Sequence, residues 1–244
     1  MTTEQSIKLA VANFRALSGN PYPGRGIVAG LDETGEYLVQ VYWIMGRSDN
    51  SRNRVFKQDE ESGRLYTEAA DASKMKDSSL IIYNAMRERR PHYIVSNGSQ
   101  TDVVVGELGG APYIDVALAR QSYEPDEPNF TQRITALSSL SKGVGYIQMS
   151  ILRKSPFGRS CDRLTYYYKN PPARLGFCIT TYSGDGNPLP PFTGEPLLMP
   201  LVGGIGEVAE TYWGGLNEEN RVALAVKFIE LGSGYSNIYI INKY

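Results

Sequence analysis

One histidine, His92, and two cysteines, Cys161 and Cys178, stand among 244 residues. The cysteines have neither CxxC spacing nor histidines clustered about them, so a zinc ribbon and a His-rich metal site are excluded, and a Ser/His/Asp triad has His92 alone to draw on. Charge of one sign is not in excess either. Lys plus Arg number 25 and Asp plus Glu 26, a formal net charge of -1, which leaves no bulk basic field to recruit nucleic acid or anionic lipid. Apolar runs stay well short of the roughly 18 residues of a membrane helix, and the start, MTTEQSIKLA, lacks the basic flank and apolar stretch of a signal peptide. A cytoplasmic protein with a metal-free site is expected, without nucleic-acid or membrane partners.

What is present is ordinary globular material, 41% hydrophobic and 21% charged, in a chain long enough to bury its own core. Tyrosine outnumbers phenylalanine 17 to 7, and tyrosine buries an aromatic ring while keeping a donor at its tip. Ile7, Ala10, Val11, Phe14 and Leu17 recur at helical spacing behind a Thr2 or Thr3 cap, and Gly19 and Pro21 end that helix. Strands are expected at Arg25–Gly30, Tyr37–Met45, Leu80–Asn84, Tyr93–Ser96, Val103–Val105, Gly145–Leu152, Leu164–Tyr168, Gly176–Tyr182 and Ser236–Ile241. Asn97-Gly98 reads as a hairpin turn, Pro112 to about Ser122 as a second helix, and Glu218 to Leu231 as a long third one. The Gly- and Pro-rich stretch Ser183–Pro200 reads as an excursion within one domain, because too little chain follows it to build a second core. The pattern predicts an α+β layered domain over residues 1–244, with helices covering sheet faces.

Polar groups gather at four places beside strand ends. Tyr22-Pro23-Gly24-Arg25-Gly26 combines glycines that admit a close ligand with one charge. Gly46 to Arg54 holds Arg47, Arg52 and Arg54 among hydroxyls and amides, suited to bidentate recognition of phosphate or a carbonyl-rich ring. Tyr83-Asn84 and Ser96-Asn97-Gly98-Ser99-Gln100-Thr101-Asp102 form the third group. The fourth is Ser122-Tyr123-Glu124-Pro125-Asp126-Glu127-Pro128-Asn129-Phe130, ending in Thr131-Gln132-Arg133-Ile134, in which two prolines stiffen the frame of a carboxylate. The last three have plain alternatives: a solvated loop whose arginines pair with Asp59, Glu60 and Glu61, a turn that wants Asn-Gly, and a solvated acidic loop, with Arg133 paired to Asp126 or Glu127.

In order along residues 22–140, Tyr22-Pro23-Gly24-Arg25, Arg47-Ser48, Asn53-Arg54, Tyr83-Asn84, Ser96-Asn97-Gly98-Ser99, Thr101-Asp102, Tyr123-Glu124, Asp126-Glu127, Asn129 and Arg133 together resemble the archaeal-type IMP cyclohydrolase family and its bacterial relatives. Gln100 departs from that pattern, which has a histidine there, and residues 1–20 look like a helical extension. The resemblance implies a four-layer αββα sandwich similar to the Ntn hydrolases, and an enzyme of the cyclic amidine hydrolase class that needs no metal or organic cofactor. Such an enzyme closes the ring of the formylated aminoimidazole carboxamide ribotide, with loss of water, to give IMP. It implies Arg54, Tyr83 and Glu124 as catalytic residues, and Arg25, Arg47, Ser48, Asn84, Asn97, Gly98, Ser99, Asp102 and Arg133 as substrate-binding ones. The expected partner is a purine ribonucleotide, and a homo-oligomer stays open. A non-catalytic nucleotide-binding module on the same fold is the competing expectation.

Overall fold

The computed structural model describes residues 2–75, 77–109 and 113–244. Helix α1 (Thr3–Ser18) starts in a capping box: Gln5 N donates to Thr2 Oγ1 and Thr2 N donates to Gln5 Oε1. It is followed by β1 (Gly26–Leu31), β2 (Tyr37–Met45), α2 (Asp49–Arg52), β3 (Val55–Asp59), β4 (Arg64–Glu68), β5 (Asn84–Arg89), β6 (His92–Ser96), α3 (Gln100–Glu107) and α4 (Ile114–Ala117). The remainder is β7 (Arg133–Ser141), β8 (Val144–Lys154), β9 (Cys161–Lys169), β10 (Leu175–Thr180), β11 (Leu197–Pro200), α5 (Ile205–Gly215), β12 (Arg221–Glu230) and β13 (Ser236–Asn242). The protein is a mixed α+β structure of two antiparallel sheets and few helices. One sheet has the order β11-β10-β1-β2-β12-β13, the other β3-β4-β5-β6-β7-β8-β9.

Strand β2 shows why the chain layers. Its buried run alternates faces: Tyr42 and Ile44 join an inner cluster with Phe56, Val95, Ile134 and Met149 of the second sheet, whereas Val41, Trp43 and Met45 point outward with Val208 and Tyr212 of α5 and Leu17 of α1. On the far side of the second sheet, Ile94, Leu137 and Leu152 pack with Val104 of α3 and Ile114 of α4. No helix among the described residues is long and apolar enough to cross a membrane.

Several expected elements differ. Residues 218–231, expected as a helix, hold β12, central between β2 and β13 and buried along its length. A strand buried on both faces shows a continuous apolar run, which periodicity does not separate from a buried helix. The helix of that region is α5, which lies earlier and was missed. Val103–Val105 is not a strand but the middle of α3, where packing outweighs the β preference of three successive valines. Asn97-Gly98 is not a hairpin turn. It joins β6 to α3, and the neighbour that β6 meets next is β7. The helix expected from Pro112 to Ser122 is confined to Ile114–Ala117, its expected start lying outside the described residues. Leu80–Tyr83 precedes β5 rather than forming it, and β3, β4, β7 and β11 were not anticipated.

Candidate functional site

The antiparallel registers bring the starts of β1, β3, β5 and β7 to one end of the two sheets, together with the ends of β2, β6 and β10. Arg25 stands just before β1, Arg54 before β3, Tyr83 before β5, Asn97 after β6, and Glu124 in the loop leading to β7. Gly24 sets the approach of Arg25. Its φ is +73°, and a Cβ there would sit 2.2 Å from Thr181 Oγ1. Beyond that turn Arg25 N donates to Thr181 Oγ1 (3.0 Å) and Thr181 N donates to Arg25 O (2.8 Å), fixing the base of the side chain.

Arg25 Nη2 meets Glu124 Oε1 at 2.8 Å, and Asn97 Nδ2 donates to the same oxygen at 3.3 Å. Glu124 is 2% exposed. Its other oxygen accepts no hydrogen bond among the described residues. Burial pushes the Glu124 carboxyl above its ordinary value despite the pull of Arg25. Burial weighs against the Arg25 charge too, but Glu124 and the tyrosine hydroxyls hold that guanidinium well above its usual value. The loop carrying Glu124 closes on itself: Glu124 N donates to Thr131 O at 2.8 Å, and Asp126 accepts from both Thr131 N and Thr131 Oγ1. These bonds, beyond the prolines, hold the carboxylate in place.

Beside the ion pair, Tyr42 Oη and Tyr83 Oη are 2.6 Å apart, Tyr42 sealed and Tyr83 8% exposed. Arg54 is 1% exposed. Its Nε donates to Ser51 O at 2.8 Å and Nη2 to Met45 O at 3.4 Å, while Nη1 has no partner. Burial lowers the Arg54 pKa, with Tyr83 and Tyr42 supporting its charge and Arg25 opposing it. A guanidinium remains protonated across such a shift. Among the described residues six further buried polar atoms are without partners: Arg25 Nε and Gln132 Oε1, which belong to this group, and Gln40 Oε1, Trp43 Nε1, Thr135 Oγ1 and Arg221 Nε, which do not. Buried polar groups are nearly always satisfied, so unpartnered atoms beside a buried ion pair are the unusual feature of this end of the sheets. Tyr182 closes the group, its hydroxyl bonded to Thr131 Oγ1, its ring stacked on Tyr22, and its pKa pushed up to about 12 by burial.

The other expected binding residues occupy several settings. Arg133 pairs with neither Asp126 nor Glu127; its Nη1 donates to Gln100 Oε1 (2.6 Å) and Ser99 Oγ (3.4 Å). Gln100 in turn donates to Asn97 Oδ1 at 2.9 Å, so it links the Arg133 guanidinium to the amide that steadies Glu124. Gly98 leaves room for this, since a Cβ there would lie 2.7 Å from Arg133 Nη1. Arg47 lies over the Tyr22 ring and is ion-paired with Asp185. Ser48 caps α2. Asn84 donates to both oxygens of Asp102, which also pairs with Arg87. None of these last four residues hydrogen-bonds to the Arg25–Glu124 pair. Sequence reasoning assigned no role to Tyr42, Thr131, Gln132, Tyr182 or Asp185, although Thr131 and Gln132 close the fourth polar segment, next to Arg133. Cys178 is buried in the outer core and Cys161 opens β9, both apart from the ion pair. Among the described residues no group of His, Cys, Asp and Glu could hold a metal ion.

Two antiparallel sheets meeting over a buried guanidinium–carboxylate pair, with a hydroxyl dyad and unsatisfied donors beside it, define a class of α+β protein with an enclosed polar centre at the sheet ends. Within that class this chain belongs to the IMP cyclohydrolase-like proteins, whose family model matches residues 22–233. The match spans every residue of the buried centre and begins just after α1. No curated protein matches the chain.

Proposed function

We propose that the protein is an IMP cyclohydrolase, closing the ring of 5-formamidoimidazole-4-carboxamide ribotide to IMP with loss of one water. The observation that carries this reading is the Arg25–Glu124 pair beside the Tyr42–Tyr83 dyad and the unsatisfied Arg54 donor, all inside the family match. The helices on both outer faces of the paired sheets support the αββα sandwich similar to Ntn hydrolases. Residues 1–244 then form one domain, with residues 1–20 as an extension packed on an outer face. The partner is a purine ribonucleotide, and the reaction needs no metal or organic cofactor.

Ring closure joins two groups of one molecule, so holding the reactive rotamer removes much of the barrier. The carboxamide nitrogen attacks the formyl carbon, a C–N bond forms, and the formyl oxygen gains the electron pair. Glu124 takes the nitrogen's proton on its unoccupied oxygen while Tyr83, with Arg54, supplies a proton to the formyl oxygen. The resulting hydroxyl then leaves as water with the proton that Glu124 had taken, while the former formamide nitrogen gives its N–H proton back to Tyr83 as the C=N bond of the purine forms. Arg25 keeps Glu124 oriented and ionised before attack. Arg47 and Arg133, with Asn97, Gly98 and Ser99, serve the phosphate and ribose; Ser48, Asn84 and Asp102 support those loops. Mixing purified protein with the formylated ribotide is expected to give a prompt ultraviolet change to IMP. Tight binding without product would instead identify a nucleotide-binding module.

The sealed Tyr42 hydroxyl has Tyr83 as its one partner among the described residues. Its proton therefore points at the Tyr83 oxygen, leaving the Tyr83 proton for the ligand. Tyr42→Phe is expected to lower kcat about 10-fold with KM within about twofold, the loss of one polarising hydrogen bond. Steady-state kinetics check this, and a parental kcat would remove Tyr42 from the relay.

A further inference from the structure

Gln132 is 1% exposed at the threshold of β7, and its side chain is half satisfied. Nε2 donates to Thr180 O at 2.8 Å, which fixes the amide's orientation and leaves Oε1 buried with no donor. Its place is tied to the centre twice. The backbone oxygen of Gln132 accepts from Asn97 Nδ2, the same atom that donates to Glu124. Thr180, which takes the side-chain bond, precedes Thr181, whose backbone and hydroxyl secure Arg25.

A buried amide oxygen held in one orientation asks for an N–H, and burying it without one is costly. At the same end of the sheets two orphaned atoms have the opposite character: Arg54 Nη1 and Arg25 Nε are donors and ask for oxygen. The complementary ligand carries at least one N–H donor and carbonyl-type acceptors, which is the pattern of a primary carboxamide beside a formyl group. We infer that Gln132 is a specificity-determining residue that accepts a hydrogen bond from the carboxamide nitrogen of the substrate and rejects analogues bearing an oxygen there. This rests on the purine-precursor reading given above. It adds a function for the carboxamide contact beyond binding: an acceptor on that nitrogen orients its second N–H, and the attacking lone pair with it, without removing the proton assigned to Glu124.

The probes are 5-aminoimidazole-4-carboxamide ribotide and its 4-carboxylate counterpart, of nearly the same shape, differing in a donor for an acceptor. Calorimetric titration of the parent protein is expected to favour the carboxamide by at least about 10-fold, the scale on which sites with fixed polar groups discriminate. Gln132→Met, of similar length but without the acceptor, is expected to bring the two affinities within about threefold. Gln132→Glu keeps an acceptor and should hold the preference at or above the parental ratio, which provides a second reading if the Met variant does not fold. An unchanged ratio in Gln132→Met, or loss of the ratio in Gln132→Glu, overturns the assignment and leaves the ring-closure reading in place. If the parent binds neither ribotide, the ring-closure reading itself fails and the role of Gln132 falls with it.

Discussion

Glu124→Gln lowers kcat by roughly 100-fold or more, with nucleotide affinity nearly unchanged. Glutamine keeps the outline and can still accept from Arg25 Nη2 and Asn97 Nδ2 through its amide oxygen, so the static geometry survives. What is lost is the unoccupied oxygen that receives the proton. Because burial raises the Glu124 carboxyl, the parental rate should fall on the acid side at a pH above the ordinary glutamate range. A base works only when ionised, and below its pKa the carboxyl already holds the proton. In the glutamine variant that acid limb should vanish along with the rate. Tyr83→Phe should resemble it, and the double variant should lose less than the product of the single losses, since both act on one proton-transfer step. Glu127→Gln is the control, expected to cost far less. Turnover of Glu124→Gln near the parental rate would pass the role to another carboxylate, with Asp126 next to be tested.

How far this centre was visible in the sequence depends on where each residue gets its setting. Arg25, Arg54, Tyr83, Asn97 and Glu124 are legible because they sit in short polar segments next to apolar strands, and the antiparallel registers gather those strand ends. Tyr42 is not legible. Within the YLVQVYWIM run it reads as one more core aromatic, and only the approach of the second sheet brings Tyr83 to its hydroxyl. Gln132 is hidden for a related reason, its meaning residing in Thr180, 48 residues away in the other sheet. Local pattern also fails at β12 and α3, where the decisive contacts are again non-local: burial between β2 and β13 makes a strand of an apolar run, and packing against β6 makes a helix of a valine run.

The inner layer holds a second charged pair at its opposite end, and it carries the largest stability effect. Lys227 in β12 is wholly buried, its Nζ 2.5 Å from Glu88 Oε2 and 5.4 Å from the centre of the Tyr93 ring. Glu88 is also held by Ser236 Oγ at 2.8 Å and Arg90 Nε at 3.1 Å. Burial lowers the Lys227 pKa even beside its partner, so the ammonium depends on Glu88 to remain charged there. Glu88→Leu leaves that ammonium unpaired between the sheets and is expected to cost about 3 kcal/mol, the lower end of the range for breaking a buried pair because the Glu88 side chain is 10% exposed. Lys227→Met together with Glu88→Leu removes the orphaned charge, and the double variant should recover most of that loss. The pH dependence has a definite sign. For Glu88 burial acts upward, but Lys227, Ser236 and Arg90 together hold its pKa below the ordinary value. Its contribution is therefore present above the unfolded glutamate pKa and lost as pH falls through the lowered folded value. Urea unfolding of the parent, Glu88→Leu and the double variant at neutral and acidic pH measures all three terms. A Glu88→Leu midpoint equal to the parent's at neutral pH would mean that Lys227 does not need its counter-charge, and kcat should stay parental wherever the variants are folded, because the pair lies away from Glu124.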